Sequence, residues 1–250
     1  MKILSIDWDY FFPDPSNYDW GLNEGSTEIM KSVYDHIIWS HRWNNIKVFG
    51  KNKGSHKALD YYKPDLEKLK DFWEKIIIGE PKRIIIADSH LELYYIINDL
   101  SSMGADIKEV VNIDAHHDYG YEQLLEVDCG NWAYFITDIV EDYYLYYPEW
   151  RIQREEECIN SLEGIIYYGL PKPDNYDLIF LCRSSGWTPP WSDNVFLYFI
   201  KKLRKYKAWD NVAIDYRLLE PRPFIQYDIS DLLKDIKKYK EKIEKENGEE

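Results

Sequence analysis

Six short runs of β-branched and other apolar residues recur along the chain: Ile3–Ile6, Arg83–Ala87, Val110–Ile113, Ile165–Tyr168, Leu178–Cys182 and Val212–Ile214. Several are apolar at consecutive positions, so both faces of the strand must be covered. That requirement is met by a parallel sheet with helices packed on each side. Stretches of helical periodicity separate the runs. Pro64 and Asp65 open one, with Leu66, Leu69, Phe72, Trp73 and Ile76 on a single stripe. Another follows Ser89-His90 and stops near Gly104. A third starts near Asn131. A fourth starts near Ser192-Asp193 and turns Phe196, Phe199, Ile200 and Leu203 inward. A last one, from Ser230, carries Leu232, Leu233, Ile236, Tyr239 and Ile243 among many Lys and Glu. The alternation predicts a three-layer, doubly wound, mainly parallel α/β domain. With 250 residues, one such domain over 1–250 is expected. Two segments, 13–25 and 44–62, break the rhythm as long polar loops.

In open α/β sheets ligands bind beyond the carboxyl ends of the strands, so the residues that follow each run matter most. Asp7 and Asp9 follow the first, Asp88 and His90 the second, and Asp114, His116 and Asp118 the third. Arg183 and Asp215 come at the ends of later runs. A strand that ends in Asp is often only capping a helix, which explains one or two of these residues but not the whole set. In extended chain, residues i, i+2 and i+4 share a side, so each acidic group is expected to converge. Carboxylates crowded this way repel one another unless a cation neutralises them. A pair of divalent ions, with a metal-activated hydroxide as nucleophile, satisfies the pattern. Many carboxylates and few imidazoles suit Mn²⁺ better than a structural zinc.

Composition narrows the partners. The net charge of −14 argues against nucleic acid and suits a cationic substrate. Core packing is expected to account for most of the 22 Tyr, 10 Trp and 9 Phe; the sharper alternative is an aromatic-lined groove for an extended ligand. Three cysteines, Cys129, Cys158 and Cys182, with no C-x-x-C, indicate neither a disulfide framework nor a zinc knuckle. No apolar run reaches membrane-spanning length and the start has no signal-peptide pattern, so a cytoplasmic protein is expected.

Asp114-Ala115-His116-His117-Asp118 resembles the D-A-H-x-D motif of arginase-type ureohydrolases, and Ser5-Ile6-Asp7-Trp8-Asp9 resembles their S-x-D-x-D motif. Ala87-Asp88-Ser89-His90 is similar to the segment that supplies their first histidine ligand. The order differs, since here the S-x-D-x-D strand comes first. Together with Cys129-Gly130-Asn131-Trp132, these segments most resemble a divergent branch that includes peptide arginases. Those enzymes convert arginine residues of ribosomally made precursor peptides into ornithine and urea. The resemblance implies metal ligation by Asp7, Asp9, His90, Asp114, His116 and Asp118, with Asp118 also orienting the hydroxide. It implies a guanidinium contact from acidic groups near the last strand, for which Asp215 and Glu220 are the candidates. Asn131 and Trp132 are expected to line the pocket or, for Asn131, to cap the helix that follows. His117 is expected to pack behind the ligands.

Other functions stay open at this point. A small-molecule ureohydrolase would share the metal site, a deacetylase would lack a counterpart of Asp9, and a metal-binding scaffold would have decayed ligands. The oligomeric state, a homo-oligomer included, is not fixed by the sequence.

Overall fold

The computed structural model describes residues 1–14, 39, 63–120, 126–153, 164–206, 212–218 and 222. Most of the two long polar loops, Glu220 and the helix expected from Ser230 lie outside the described residues.

Among the described residues seven parallel strands form one sheet: β1 (Lys2–Asp7), β2 (Arg83–Ala87), β3 (Glu109–Ile113), β4 (Asp142–Tyr147), β5 (Ile166–Tyr168), β6 (Leu178–Cys182) and β7 (Ala213–Arg217). Their spatial order is β5-β4-β3-β1-β6-β2-β7. The central strands β1, β3, β6 and β2 lie side by side, and all of their carboxyl ends open at one rim. Register carries Asp7 level with Cys182, and Cys182 level with Ala87.

Among the described residues five α-helices accompany the sheet: α1 (Leu66–Leu69), α2 (Phe72–Ile76), α3 (Leu91–Ser102), α4 (Trp132–Phe135) and α5 (Asp193–Tyr206). Apolar residues of α1, α2 and α5 pack on the face that carries Leu4, Ile6, Ile84, Ile86, Ile179 and Leu181. Those of α3 and α4 pack on the face that carries Ile3, Ile85, Val110, Leu178 and Phe180. The sheet is therefore covered on both sides, as consecutive apolar positions require. Phe196, Phe199, Ile200 and Leu203 of α5 are buried as their spacing predicts.

Three details depart from the sequence reading. The stripe from Leu66 to Ile76 is two helices, because Asp71 adopts a left-handed conformation (φ 56°) between them. Asp65 caps the first, accepting from the backbone N–H groups of Glu67 and Lys68. The last strand runs to Arg217, past Ile214. Strand β4 was not anticipated, since its run of tyrosines alternates buried Tyr143, Leu145 and Tyr147 with partly exposed neighbours instead of being apolar throughout.

Candidate metal centre

Strand β1 alternates between the two faces. Ser5 and Asp7 turn toward α3 and α4, while Trp8 goes the other way. Its ring is fully buried against Phe11, Phe196 and Phe199, with centroids 5.2, 5.2 and 5.4 Å away. Burying a side chain of this size stabilises the fold by roughly 3 kcal/mol, and it pins the chain where the strand ends. Asp7 then caps a 3-10 turn over Trp8–Phe11, its Oδ1 accepting from the Asp9 N–H at 3.0 Å. Asp9 reaches across to the next segment: its Oδ1 accepts from the Ala115 N–H at 3.2 Å, and its Oδ2 lies 2.7 Å from His116 Nδ1.

The Asp-x-Asp and Asp-x-His-x-Asp segments thus converge through turns, not as extended chain. In extended chain Asp118 would stand about 13 Å beyond Asp114. A bend at Ala115-His116 and a left-handed Asp118 (φ 51°) fold it back instead. The His116 N–H donates to Asp114 Oδ1 at 2.7 Å and holds the bend.

His90 sits at the focus of the cluster. Its Nδ1 is 3.1 Å from Asp7 Oδ2, 3.2 Å from Asp114 Oδ2 and 3.1 Å from Asp118 Oδ2. This nitrogen is buried, yet makes no hydrogen bond of acceptable geometry. Three oxygens and one nitrogen turned toward a shared point, without hydrogen bonds among them, is the arrangement of ligands around a cation. The other ring nitrogen, Nε2, lies 2.9 Å from Ser5 Oγ, the kind of outer contact that fixes a ligating imidazole in place. On the opposite side of Asp114, Asp9 and His116 form a second group. Three sets of ligand atoms result: His90 with Asp114 and Asp118, His116 with Asp9 and Asp114, and His90 with Asp7 and Cys182. Asp114 belongs to the first two. These buried Asp and His residues could hold divalent metal ions.

Surrounding contacts fix the carboxylates. The Trp132 Nε1–H donates to Asp118 Oδ2 at 2.6 Å, and its ring lies 5.2 Å from that of His90. The Asn112 amide donates to Asp114 Oδ2 at 3.1 Å and to the Tyr143 hydroxyl at 3.2 Å. The Arg151 Nε–H donates to the Ala115 carbonyl at 2.6 Å, and its guanidinium lies over the rings of Tyr147 and Trp150.

The protonation pattern reflects crowding. Burial, followed by Asp9 and Asp114, pushes the Asp7 carboxyl well above its usual range. Burial and then Asp114 lift Asp118 to about 7. Burial pulls both imidazoles down, but the carboxylates more than reverse it: His116 rises to about 9, chiefly through Asp9, and His90 well above its usual range, chiefly through Asp7. Burial raises Asp114 too, yet His90 outweighs it and leaves this carboxylate below its usual range. Protons therefore supply the positive charge when no metal does, and a metal ion would displace them.

All six expected ligands come together. Other expected site residues do not join them. Asp215, on β7, is bound by Arg83 at 3.0 Å and Arg217 at 3.1 Å along the sheet's outer strand. Asn131 stands at the start of α4 but makes no side-chain cap. It accepts from the Asp128 N–H and donates to the Glu126 carbonyl, bracing the loop before the helix. Trp132 is fully buried behind the ligands rather than facing an open pocket. His117 is buried and accepts from the Tyr119 N–H, as a packing role implies. Arg183, fully buried, binds Asp88 at 2.6 Å and Asp193 at 3.2 Å. Ser5, Asn112, Tyr143 and Cys182 were missed as contributors. Cys182 ends an apolar run, the same signal that located the acidic groups, but was read as the strand itself.

No family model, curated protein or solved structure matches the chain. Among the described residues no helix is long and apolar enough to cross a membrane.

Proposed function

We propose that the chain is a metal-dependent hydrolase that cleaves the guanidinium group of arginine residues in a peptide, giving ornithine and urea. The observation that carries this reading is the shared carboxylate: Asp114 stands between the His90 group and the His116 group, so two ions, most suitably Mn²⁺, can be held side by side. Ions in these positions supply a water acidic enough to act as a nucleophile at neutral pH. On this reading the chain is an arginase-like three-layer domain with its metal site at the carboxyl ends of the strands; the parallel sheet covered by helices on both faces supports it.

The residues divide the work. Asp7, Asp9, His90, Asp114, His116 and Asp118 bind the ions. Asp118 uses Oδ2 toward His90 and Trp132, which leaves Oδ1 to orient the water and take its proton. Oxygen adds to the guanidinium carbon, the bond from that carbon to the chain nitrogen breaks, and this nitrogen leaves with a proton as the ornithine amine. Substrate reaches the centre from the His116 side, because that side chain is 15% exposed while Asp7, His90, Asp114 and Asp118 are each at most 6% exposed. The Trp187 ring, 4.5 Å from the His116 ring, flanks that approach and offers a face to a planar cation.

A peptide is favoured over free arginine by the basic residues near the centre. Among the described residues, Arg151 and Arg183 are both engaged within the protein rather than offered to a free α-carboxylate. The acidic chain suits a cationic substrate.

The test is incubation with Mn²⁺ and, separately, arginine-containing peptides and free arginine or agmatine, read by mass spectrometry and urea assay. Loss of CH₂N₂ per arginine with stoichiometric urea, absent in Asp114→Ala, is the expected result. Turnover of the small molecules alone would assign a small-molecule ureohydrolase. No turnover, with metal bound, would overturn the hydrolase reading.

A further inference from the structure

The carboxyl end of β6 brings a third kind of donor to the centre. Cys182 lies level with Asp7 on one neighbouring strand and with Ala87 on the other. It is buried, outside any disulfide. Ligand atoms of Asp7, His90 and Cys182 all lie within 4.8 Å of one another. Donors that sit about 2.1 to 2.3 Å from one ion stand at most about 4.5 Å apart, so modest closure brings all three onto a single cation. The Ser184 N–H donates to Cys182 Sγ at 3.3 Å. The sulfur is thus an acceptor here, the role a ligating thiolate plays. The independent sign of a ligand is His90 Nδ1, buried in the same group without a hydrogen bond. Apolar packing against Ala87 and Phe180 accounts for the burial of Cys182 but not for its approach to these two donors.

We propose that Cys182 supplies a thiolate ligand to the ion held by His90 and Asp7, so that this position takes zinc or cobalt in preference to Mn²⁺, while the Asp9–Asp114–His116 position stays hard. The inference rests on the metal-centre reading above and changes it at one point: Mn²⁺ is kept for the Asp9–Asp114–His116 position and gives way to a softer ion at the other. Thiolate selects softer metals and all-oxygen or oxygen-imidazole sets select harder ones. The two positions therefore differ in metal preference, and a mixed occupancy follows when both metals are offered.

The test uses Co²⁺ alone as probe, titrated into the full-length, metal-free protein and followed by absorption. A thiolate-to-cobalt charge-transfer band in the near ultraviolet is expected with the first equivalent. It disappears in Cys182→Ser and Cys182→Ala, persists in Cys129→Ser, and the selectivity for Zn²⁺ over Mn²⁺ falls roughly ten-fold in the Cys182 variants. Visible d–d bands from bound cobalt, without the charge-transfer band in the wild-type protein, would overturn the thiolate ligand while leaving the metal centre standing. Absence of both kinds of band, with no heat of binding, would overturn the metal centre itself and the thiolate with it. Should the Cys182 variants fail to fold by circular dichroism, the chemical shift of ¹¹³Cd bound to the wild-type protein decides. A strongly downfield, sulfur-ligated shift supports the proposal, and a shift typical of oxygen and nitrogen ligands overturns it.

Discussion

At the amino side of the sheet, Asp177 meets Lys82 at 2.6 Å and Asp174 meets Lys2 at 2.6 Å, and midway along the outer strand Asp215 meets Arg83 at 3.0 Å. At the carboxyl side, Asp7, Asp9, Asp114 and Asp118 crowd against one another and two imidazoles; among the described residues no Lys or Arg pairs with any of them. The consequences are opposite. Lys2 and Lys82 hold Asp174 and Asp177 below the usual carboxylate range, whereas burial and mutual repulsion lift Asp7 and Asp118 above it. The ordinary ion pairs near the carboxyl rim, Asp88 with Arg183 and Glu92 with Arg217 among them, sit beside the cluster and not in it. Acidic residues with their own cations hold the fold together. Acidic residues gathered without cations make a place for one.

The largest effect that separates the two ends is expected from Asp114→Ala. Since Asp114 serves both groups, metal binding should fall below detection by calorimetry and turnover should vanish, with the fold retained by circular dichroism. Binding of both ions by this variant would break the contrast, because Asp114 would then be a structural acid like Asp177.

Next in size are the outer contacts. Trp132→Phe keeps a ring but removes the N–H that holds Asp118 Oδ2, and Ser5→Ala removes the oxygen beside His90 Nε2. Each should weaken metal affinity about 10–100-fold, measured by competition with a chelating dye, with a smaller loss for Ser5→Ala because a water can replace its hydroxyl.

The protonation pattern sharpens the contrast through pH. Folding raises Asp118 from 3.8 to about 7 and His116 from 6.5 to about 9. The metal-free folded chain thus holds more protons than the unfolded chain, and the stability these groups contribute is lost as pH rises: for Asp118 from near 4 through 7, for His116 from 6.5 through 9. The metal-free melting temperature should therefore decline from pH 6.5 to 9. Metal binding expels the same protons, so affinity should climb over that window and Mn²⁺ should restore more stability at pH 9 than at 6.5. Thermal melts with and without Mn²⁺ check both trends, and a metal-free chain whose melting temperature rises toward pH 9 would contradict the assignment.

How much of this was visible in the sequence differs between ligands and supports. The six candidate ligand positions were legible because Asp and His recur directly after several apolar runs, more often than helix capping explains. The central strands could be named because residues such as Ile84-Ile85-Ile86 must be covered on both faces. The backbone route was not visible. The turn through Trp8–Phe11 depends on Trp8 docking among Phe11, Phe196 and Phe199, and the last two are nearly two hundred residues away in sequence. The left-handed Asp118 has no local glycine signal. Trp132, Asn112 and Ser5 become partners of ligands only once the sheet order sets β3 and β6 on either side of β1. Asp215 is a candidate guanidinium contact because the resemblance implies acidic groups near the last strand, yet its own run places it in the middle of β7, opposite Ile85.

The smallest effects belong to the paired end. Asp177→Asn removes an ion pair whose lysine is 82% exposed. Exposed pairs of this kind contribute less than about 1 kcal/mol, so denaturant unfolding should shift only slightly and metal affinity should not change. Asp215→Asn is the more telling variant. Arg217 would keep its 3.1 Å contact with Glu92, so the outer strand should stay docked, with KM and kcat for an arginine-containing peptide within about two-fold of wild type. A selective rise in KM, with unchanged metal affinity and unchanged unfolding, would mean that Asp215 leaves Arg83 to meet the substrate. The outer strand would then be part of the site, and the division between an acidic end that is paired and one that waits for a cation would no longer follow the two ends of the sheet.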